Sequence, residues 1–201
     1  MNALHHPHRR TRGFSLVEIM VAVVVICIGL LGVARMQALA LSNTTTARQR
    51  SLAAIEAASL ASAMHSNRAY WANTPPTSVV VTPNTPNPPA IVSSDAAMAA
   101  TAIADLATFP ALPQNCVGNA ASGAVCTPAN LAGFDLAWWL TSLSALLPNP
   151  GATLNCSNAA PAACTIQITW TENAVAMNAG QANAPNVQQF QTPTYTLYVE
   201  P

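Results

Sequence analysis

The chain contains no lysine: its seven basic residues are all arginines, set against seven acids in 201 residues. Only 7% of residues are charged, where a soluble domain carries about a quarter. A nucleic-acid surface is excluded on this ground, because neutralising phosphates takes a basic patch that this body lacks. Arg9, Arg10 and Arg12 lie in the first thirteen residues beside His5, His6 and His8. Without that piece, four arginines face seven acids and the chain is mildly acidic. His65 is then the remaining histidine, and there is no P-loop, no dinucleotide-binding glycine fingerprint and no HExxH. Asp95, Asp105, Asp135, Glu172 and Glu200 are scattered, with no spacing that pairs them into an acid–base site. The sequence therefore reads as a non-enzyme with no cofactor. All sixteen prolines lie outside the stretch from Phe14 to Trp71.

What is present begins with an apolar run. No charged residue occurs from Ile19 to Ala34, and apolar character starts at Phe14. About 21 helical residues are enough to cross a hydrocarbon core of ~30 Å. Arginines before the run and few after it put the N-terminus on the cytoplasmic side. Three fates compete for such a segment. A secretory signal would be removed after the run, and Ala38-Leu39-Ala40 offers a small-x-small site. A plain anchor would stay uncut, and a third kind of segment is cut before the run and keeps it. Glu18 separates them. A carboxylate in a span costs about 2.5–3.5 kcal/mol at mid-bilayer and less near the edge, and intramembrane acids are functional by default.

Arg12-Gly13-Phe14-Ser15-Leu16-Val17-Glu18-Ile19 resembles the processing motif of type IV prepilins and type II secretion pseudopilins. Those families have a basic leader ending in Gly, then usually Phe, with Glu fifth in the mature chain. The resemblance implies that a prepilin peptidase cuts between Gly13 and Phe14 and methylates the new amino group of Phe14. It implies that Glu18 neutralises the Phe14 amine of a neighbouring subunit. Such a pair in low dielectric depends strongly on register and is costly to break, so its role is stagger and admission to a filament. The implied place is the bacterial inner membrane, single-pass with a periplasmic head, and later a pilus.

Beyond Arg35 the sequence keeps helical character to about Tyr70, Ala-rich and without proline. Phe14 to Trp71 as one helix would be ~87 Å long at 1.5 Å per residue. Asn43-Thr44-Thr45-Thr46 is the weak point where it would break. Pro-rich sequence from Thr74 to Pro89 reads as an extended surface loop. Ser94-Asp95 opens an Ala-rich stretch to about Thr108, with Ser94 as the N-cap. Pro128 to Leu147 is the best helix of the body, with Leu136, Leu140, Leu143 and Leu147 on one face and Trp139 beside them. Of the Trp138-Trp139 pair, one ring is expected in the core and one partly outside. Thr165 to Trp170 and Thr194 to Glu200 alternate as strands, and Ala152 to Cys156 pairs with the first of them.

Cys27 sits within the apolar run and reads as a small buried hydrophobe. Cys116, Cys126, Cys156 and Cys164 lie in the polar body, an even count that suggests disulfides in an oxidising compartment. Their spacings do not match the tight pairs of a zinc site, so no metal is expected. The favoured pairing is Cys116–Cys126 with Cys156–Cys164, among three possible connectivities.

These readings give an α+β, type IV pilin-like fold in which a long N-terminal helix packs on a small antiparallel sheet. The expected divisions are a cleaved leader 1–13, a transmembrane helical half 14–34, a periplasmic half 35–71 and a globular head 72–201. The leader, Ile28-Gly29-Leu30-Leu31-Gly32, Phe134-Asp135-Leu136-Ala137-Trp138-Trp139 and Thr169-Trp170-Thr171-Glu172 are similar to the PilV family of minor pilins. The absence of proline in the membrane half departs from major pilins. That likeness implies a minor pilin that contacts other minor pilins and the major pilin through its helix, and helps start a filament for twitching or adhesion. A minor pseudopilin of type II secretion is the alternative. A ligand-binding or adhesive module on a pilin stem, with loops Thr74–Pro89 and Ala174–Gln191 as its surface, is a third reading.

Overall fold

In a computed structural model, Gly13 and residues 15–82, 90–108, 127–157, 159–173 and 190–201 are described. Helix α1 runs from Leu16 to Ser66 in one piece, straight through Asn43-Thr46. Three threonines each cost only a few tenths of a kcal/mol of helix propensity, and no Gly or Pro accompanies them. The chain divides into two compact units, Met1–Asn43 and Thr44–Pro201. In the first, α1 is apolar on every side and none of its apolar window is buried. It is the one described helix long and apolar enough to cross a membrane.

In the second unit, α1 buries Ala53, Ala57, Leu60 and Met64, a stripe at spacings of four, three and four residues. The helix ends at Ser66 because Asn67 leaves helical geometry, and its side-chain Nδ2–H donates to the Pro128 carbonyl at 2.7 Å. A separate short helix α2, Arg68–Trp71, follows. The expected single helix to Trp71 is thus corrected by one tertiary hydrogen bond, a contact that helix propensity does not register.

The Pro-rich stretch is also corrected. Strand β1, Ser78–Val81, lies inside it, and β2 is Ile91–Ser93. Val79-Val80-Val81 is a β-branched run, and pairing with β3 gives it a role that local turn signals hid. Helix α3, Ala96–Thr108, begins where expected, but its cap is Asp95. The Asp95 carboxylate accepts from the Ala97 and Met98 amides at 3.0 and 3.1 Å, while Ser94 Oγ accepts from the Ser78 amide. Helix α4, Pro128–Leu146, is capped by Thr127, whose hydroxyl accepts from the Asn130 amide, with proline in the first turn. Its buried face carries Leu136, Trp139, Leu140 and Leu143, and Leu147 beyond its end is buried too.

Strands β3 (Gly151–Cys156), β4 (Cys164–Thr169) and β7 (Thr194–Val199) complete an antiparallel sheet in the order β2-β1-β3-β4-β7. Val79, Leu154 and Ile166 lie side by side across three strands, and all three are fully buried. The opposite face carries Thr153, Gln167 and Thr196 in register and meets solvent. One apolar face of the sheet, the second half of α1, α3 and α4 form a single core.

A two-stranded ribbon, β5 (Glu172–Asn173) with β6 (Phe190–Gln191), continues the β4–β7 hairpin. The pairs Thr169↔Thr194 and Glu172↔Gln191 share one register, three steps on and three steps back. The ladder is interrupted at Pro193, which has no N–H to donate. On the facing strand, the Thr171 amide donates instead to the Pro148 carbonyl at 3.0 Å.

Candidate functional site

The residues singled out at the N-terminus sit at the head of α1. Gly13 is exposed, and a Cβ built on it would meet nothing within 4 Å. Neither packing nor a left-handed backbone therefore requires glycine there. Phe14 lies outside the described residues. Glu18 is in the first turn of α1, where its amide donates to the Ser15 carbonyl at 3.0 Å. A carboxylate at that end meets the positive end of the helix dipole, worth about 0.3–1 kcal/mol. The next fifteen residues of α1 are apolar and exposed, among them Val25 and Leu31. Gly29 and Gly32 also face open space. Cys27 is exposed rather than buried, because no other described residue of its unit covers that helix.

In the head, Cys156 and Cys164 face each other across β3 and β4 and are joined, S–S 2.04 Å. Cys116 and Cys126 lie outside the described residues. Glu172, read from sequence as one of several scattered acids, is only 4% exposed. Its two oxygens accept from Arg50 Nε and Nη2 at 3.2 and 3.1 Å, and Oε1 also accepts from Trp170 Nε1 at 3.1 Å. Arg50 is itself solvent-exposed, so this fork clamps α1 to β5 through the buried carboxylate rather than through a dry ion pair. The hydrogen bond to Glu172, and its charge, raise the Arg50 guanidinium further above its already high pKa. Tyr70 Oη donates to Asp95 Oδ2 at 2.7 Å, tying α2 to the α3 cap. Burial, then Asp95, push the Tyr70 phenol far above its usual value. Burial works to raise the Asp95 carboxyl, but donors from Tyr70, Met98 and Ala97 outweigh it and hold the group below the usual carboxylate range.

Sequence reasoning did not find the groove between α1 and α4. It is a cleft of about 290 Å³ lined by Glu56, Leu60, Phe134, Asp135, Trp138 and Ser142, among others. Trp139 Nε1 donates to the Glu56 carbonyl and Ser142 Oγ to Glu56 Oε1, each at 2.8 Å, which locks one wall. Asp135 Oδ2 is sealed from water with no hydrogen-bond partner. Burial raises its carboxyl to about 6. The available signal was Trp138 beside Trp139: two adjacent helical positions cannot both face one core. Among the described residues no group of His, Cys, Asp and Glu is placed to hold a metal ion.

Residues 8–34 match the family model for the prokaryotic N-terminal methylation motif. That motif, at the head of a long apolar helix and followed by a five-stranded antiparallel sheet, supports a type IV pilin-like or pseudopilin kind of chain, and the α+β fold is consistent with a type IV pilin fold. The motif implies processing by a prepilin peptidase and assembly with other pilins, and the apolar helix is consistent with membrane anchoring. No curated protein and no solved structure matches the chain.

Proposed function

We propose that this chain is a minor pilin of a type IV pilus, of the PilV kind, which helps to start or joins the filament and supports twitching or adhesion. The observation that carries this reading is Glu18 at the head of an apolar helix within the methylation motif. A signal sequence or an anchor has no use for that carboxylate. Cleavage after Gly13 creates a cationic amine on Phe14 at the start of the apolar helix. In a dry bundle of such helices, each amine requires a carboxylate, and Glu18 of a neighbour supplies it. Out-of-register neighbours leave both charges unpaired, so the pair selects the stagger. The retained helix of residues 14–34 then passes from the inner membrane to the filament without ever meeting water. The rest of α1, to Ser66, and then α2 lead into the head of residues 72–201, with Cys116–Cys126 as the second staple beside Cys156–Cys164.

Sheared surface filaments analysed by mass spectrometry test this. The chain is expected among pilus proteins at a low ratio to the major subunit. The Glu18→Ala variant is expected to remain in the membrane and to fall about tenfold in filaments, the effect of about 1.4 kcal/mol at one contact. Unchanged incorporation would remove the pairing argument. Recovery with a secretin-linked protein exporter, and not with pili, would make the chain a type II pseudopilin.

A further inference from the structure

Assembly through α1 gives no role to the outward face of the five-stranded sheet. Strand alternation turns Thr153 and Asn155 of β3 and Thr165, Gln167 and Thr169 of β4 to that side, where they make its centre. Thr194, Thr196 and Tyr198 of β7 line one edge, and Val80 with its register partner Val92 lies toward the other. No outward position of the five strands is charged, and the nearest charge along β7 is Glu200, one residue past its end. No side-chain hydrogen bond among the described residues uses these threonines, Asn155 or Gln167, so their donors and acceptors are unspent. Tyr198 is 79% exposed, more than Leu16 at 74% on the uncovered apolar helix. A sheet face that only meets water is kept soluble and free of partners by charged side chains. This one has none.

We propose that this face binds a neutral polysaccharide, with sugar hydroxyls on the threonine, Asn155 and Gln167 side chains and the apolar C–H face of one ring stacked on Tyr198. The proposal rests on the reading that the head is displayed on a filament, where such a polymer is met. Other occupants fit the face less well. A protein interface has an apolar centre and a polar rim. Here the order is reversed, since Val80, Val92 and Tyr198 stand toward the edges of a polar centre. A polymer bearing phosphate, sulfate or uronate wants cations, and the face holds none. A bilayer wants an apolar and basic surface, which the polar centre is not. A sugar polymer presents hydroxyl groups at a regular repeat. The sheet answers with side chains about 4.8 Å apart across strands and about 6.7 Å apart along them. Tyrosine adds a rigid amphipathic platform that loses little entropy on binding.

The test uses the full chain in phosphocholine-headgroup micelles, which carry no sugar, titrated with cellohexaose, chitohexaose and a mannuronate hexamer. The threonine methyls are followed by NMR. At least one neutral hexamer is expected to give saturable shifts at Thr165 and Thr196, with Thr101 of α3 and Thr141 of α4 unmoved. Its affinity is expected to be the same between about 50 and 500 mM salt, because no charge takes part. The mannuronate hexamer is expected to bind at least about tenfold more weakly. Tyr198→Ala, checked for an unchanged unfolding midpoint, is expected to lose about tenfold in affinity for the neutral hexamer. The double variant Thr165→Val with Thr196→Val keeps side-chain shape and strand propensity but removes the hydroxyls, and is expected to bind more weakly too. No saturable shift with either neutral hexamer, equal binding of mannuronate, or full affinity in either folded variant overturns the proposal. A photo-crosslinker replacing Tyr198 in cells that traps another protein, with no shift from sugar, makes the face a protein interface and overturns it as well. Absence of sugar binding in a chain whose mature form begins at Phe14 sinks the sheet face alone. Sugar binding by a chain whose mature form begins at Leu41 sinks the pilin reading alone.

Discussion

A methyl group added at Gly133 measures how closely α3 and α4 approach. Two effects of opposite sign compete. Alanine in a helix interior is about 1 kcal/mol better than glycine, so in open space Gly133→Ala would stabilise. Here its Cβ would lie 2.8 Å from the Met98 carbonyl oxygen and 2.9 Å from Thr101 Cβ. Both are well inside the ~3.5–4.0 Å of normal carbon contact. The Met98 oxygen belongs to the backbone of α3 and cannot swing away, so the whole helix must give. Overpacking of this kind costs about 1–3 kcal/mol. The net expectation is a loss of about 1 kcal/mol, and more for Gly133→Val. Thermal unfolding of the full chain in micelles, followed by near-ultraviolet circular dichroism of the tryptophans, reads this out. A loss of that size lowers the midpoint by about 2–4 °C. A midpoint raised by the same amount would refute the close approach of α3 to α4.

Asp135 makes a pH prediction. With its carboxyl at about 6 in the fold and about 3.9 unfolded, the folded chain holds a proton between those values that the unfolded chain releases. Stability from this group is therefore full below about pH 4, falls as pH rises to about 6 and is flat above. The full shift would be worth about 3 kcal/mol, and discounting for a half-exposed group leaves about 1 kcal/mol. Asp135→Asn is expected to flatten the midpoint–pH curve across this range and to stabilise the chain near neutral pH, and an unchanged curve would contradict the assignment. Replacing Cys156 and Cys164 together by alanine frees a loop of sequence separation 8, for an expected loss of about 2–3 kcal/mol. Equilibrium urea unfolding checks it, and a loss below the error of the measurement would mean that the bridge constrains little.

The α+β class, the long helix and the strands near the C-terminus were legible because each carries its own local signal. Proline-free, Ala-rich sequence continues a helix, and alternation in Thr165–Thr169 and Thr194–Val199 marks one buried face. The α4 stripe of leucines was equally readable. The break at Asn67, strand β1 and the Asp95 cap were not, for one shared reason: each is decided by a partner distant in sequence or by competition between neighbours. Asn67 bonds Pro128, sixty-one residues away. Val79 needs Leu154 beside it to become a strand position. Ser94 and Asp95 are both good caps, and Ser94 is taken by the Ser78 amide. At the N-terminus the methylation motif over residues 8–34 was legible in sequence, because it is a run of neighbouring residues. The head cleft was hidden, since Glu56 and Asp135 come together only when α1 packs on α4.

The central claim is that the apolar helix is kept and only the basic leader is lost. Terminal sequencing with mass determination of the chain isolated from cells tests it most directly. A first residue of N-methylated Phe14, with Glu18 five positions into the mature chain, is the predicted result. A first residue of Leu41, with the apolar helix gone, would contradict it.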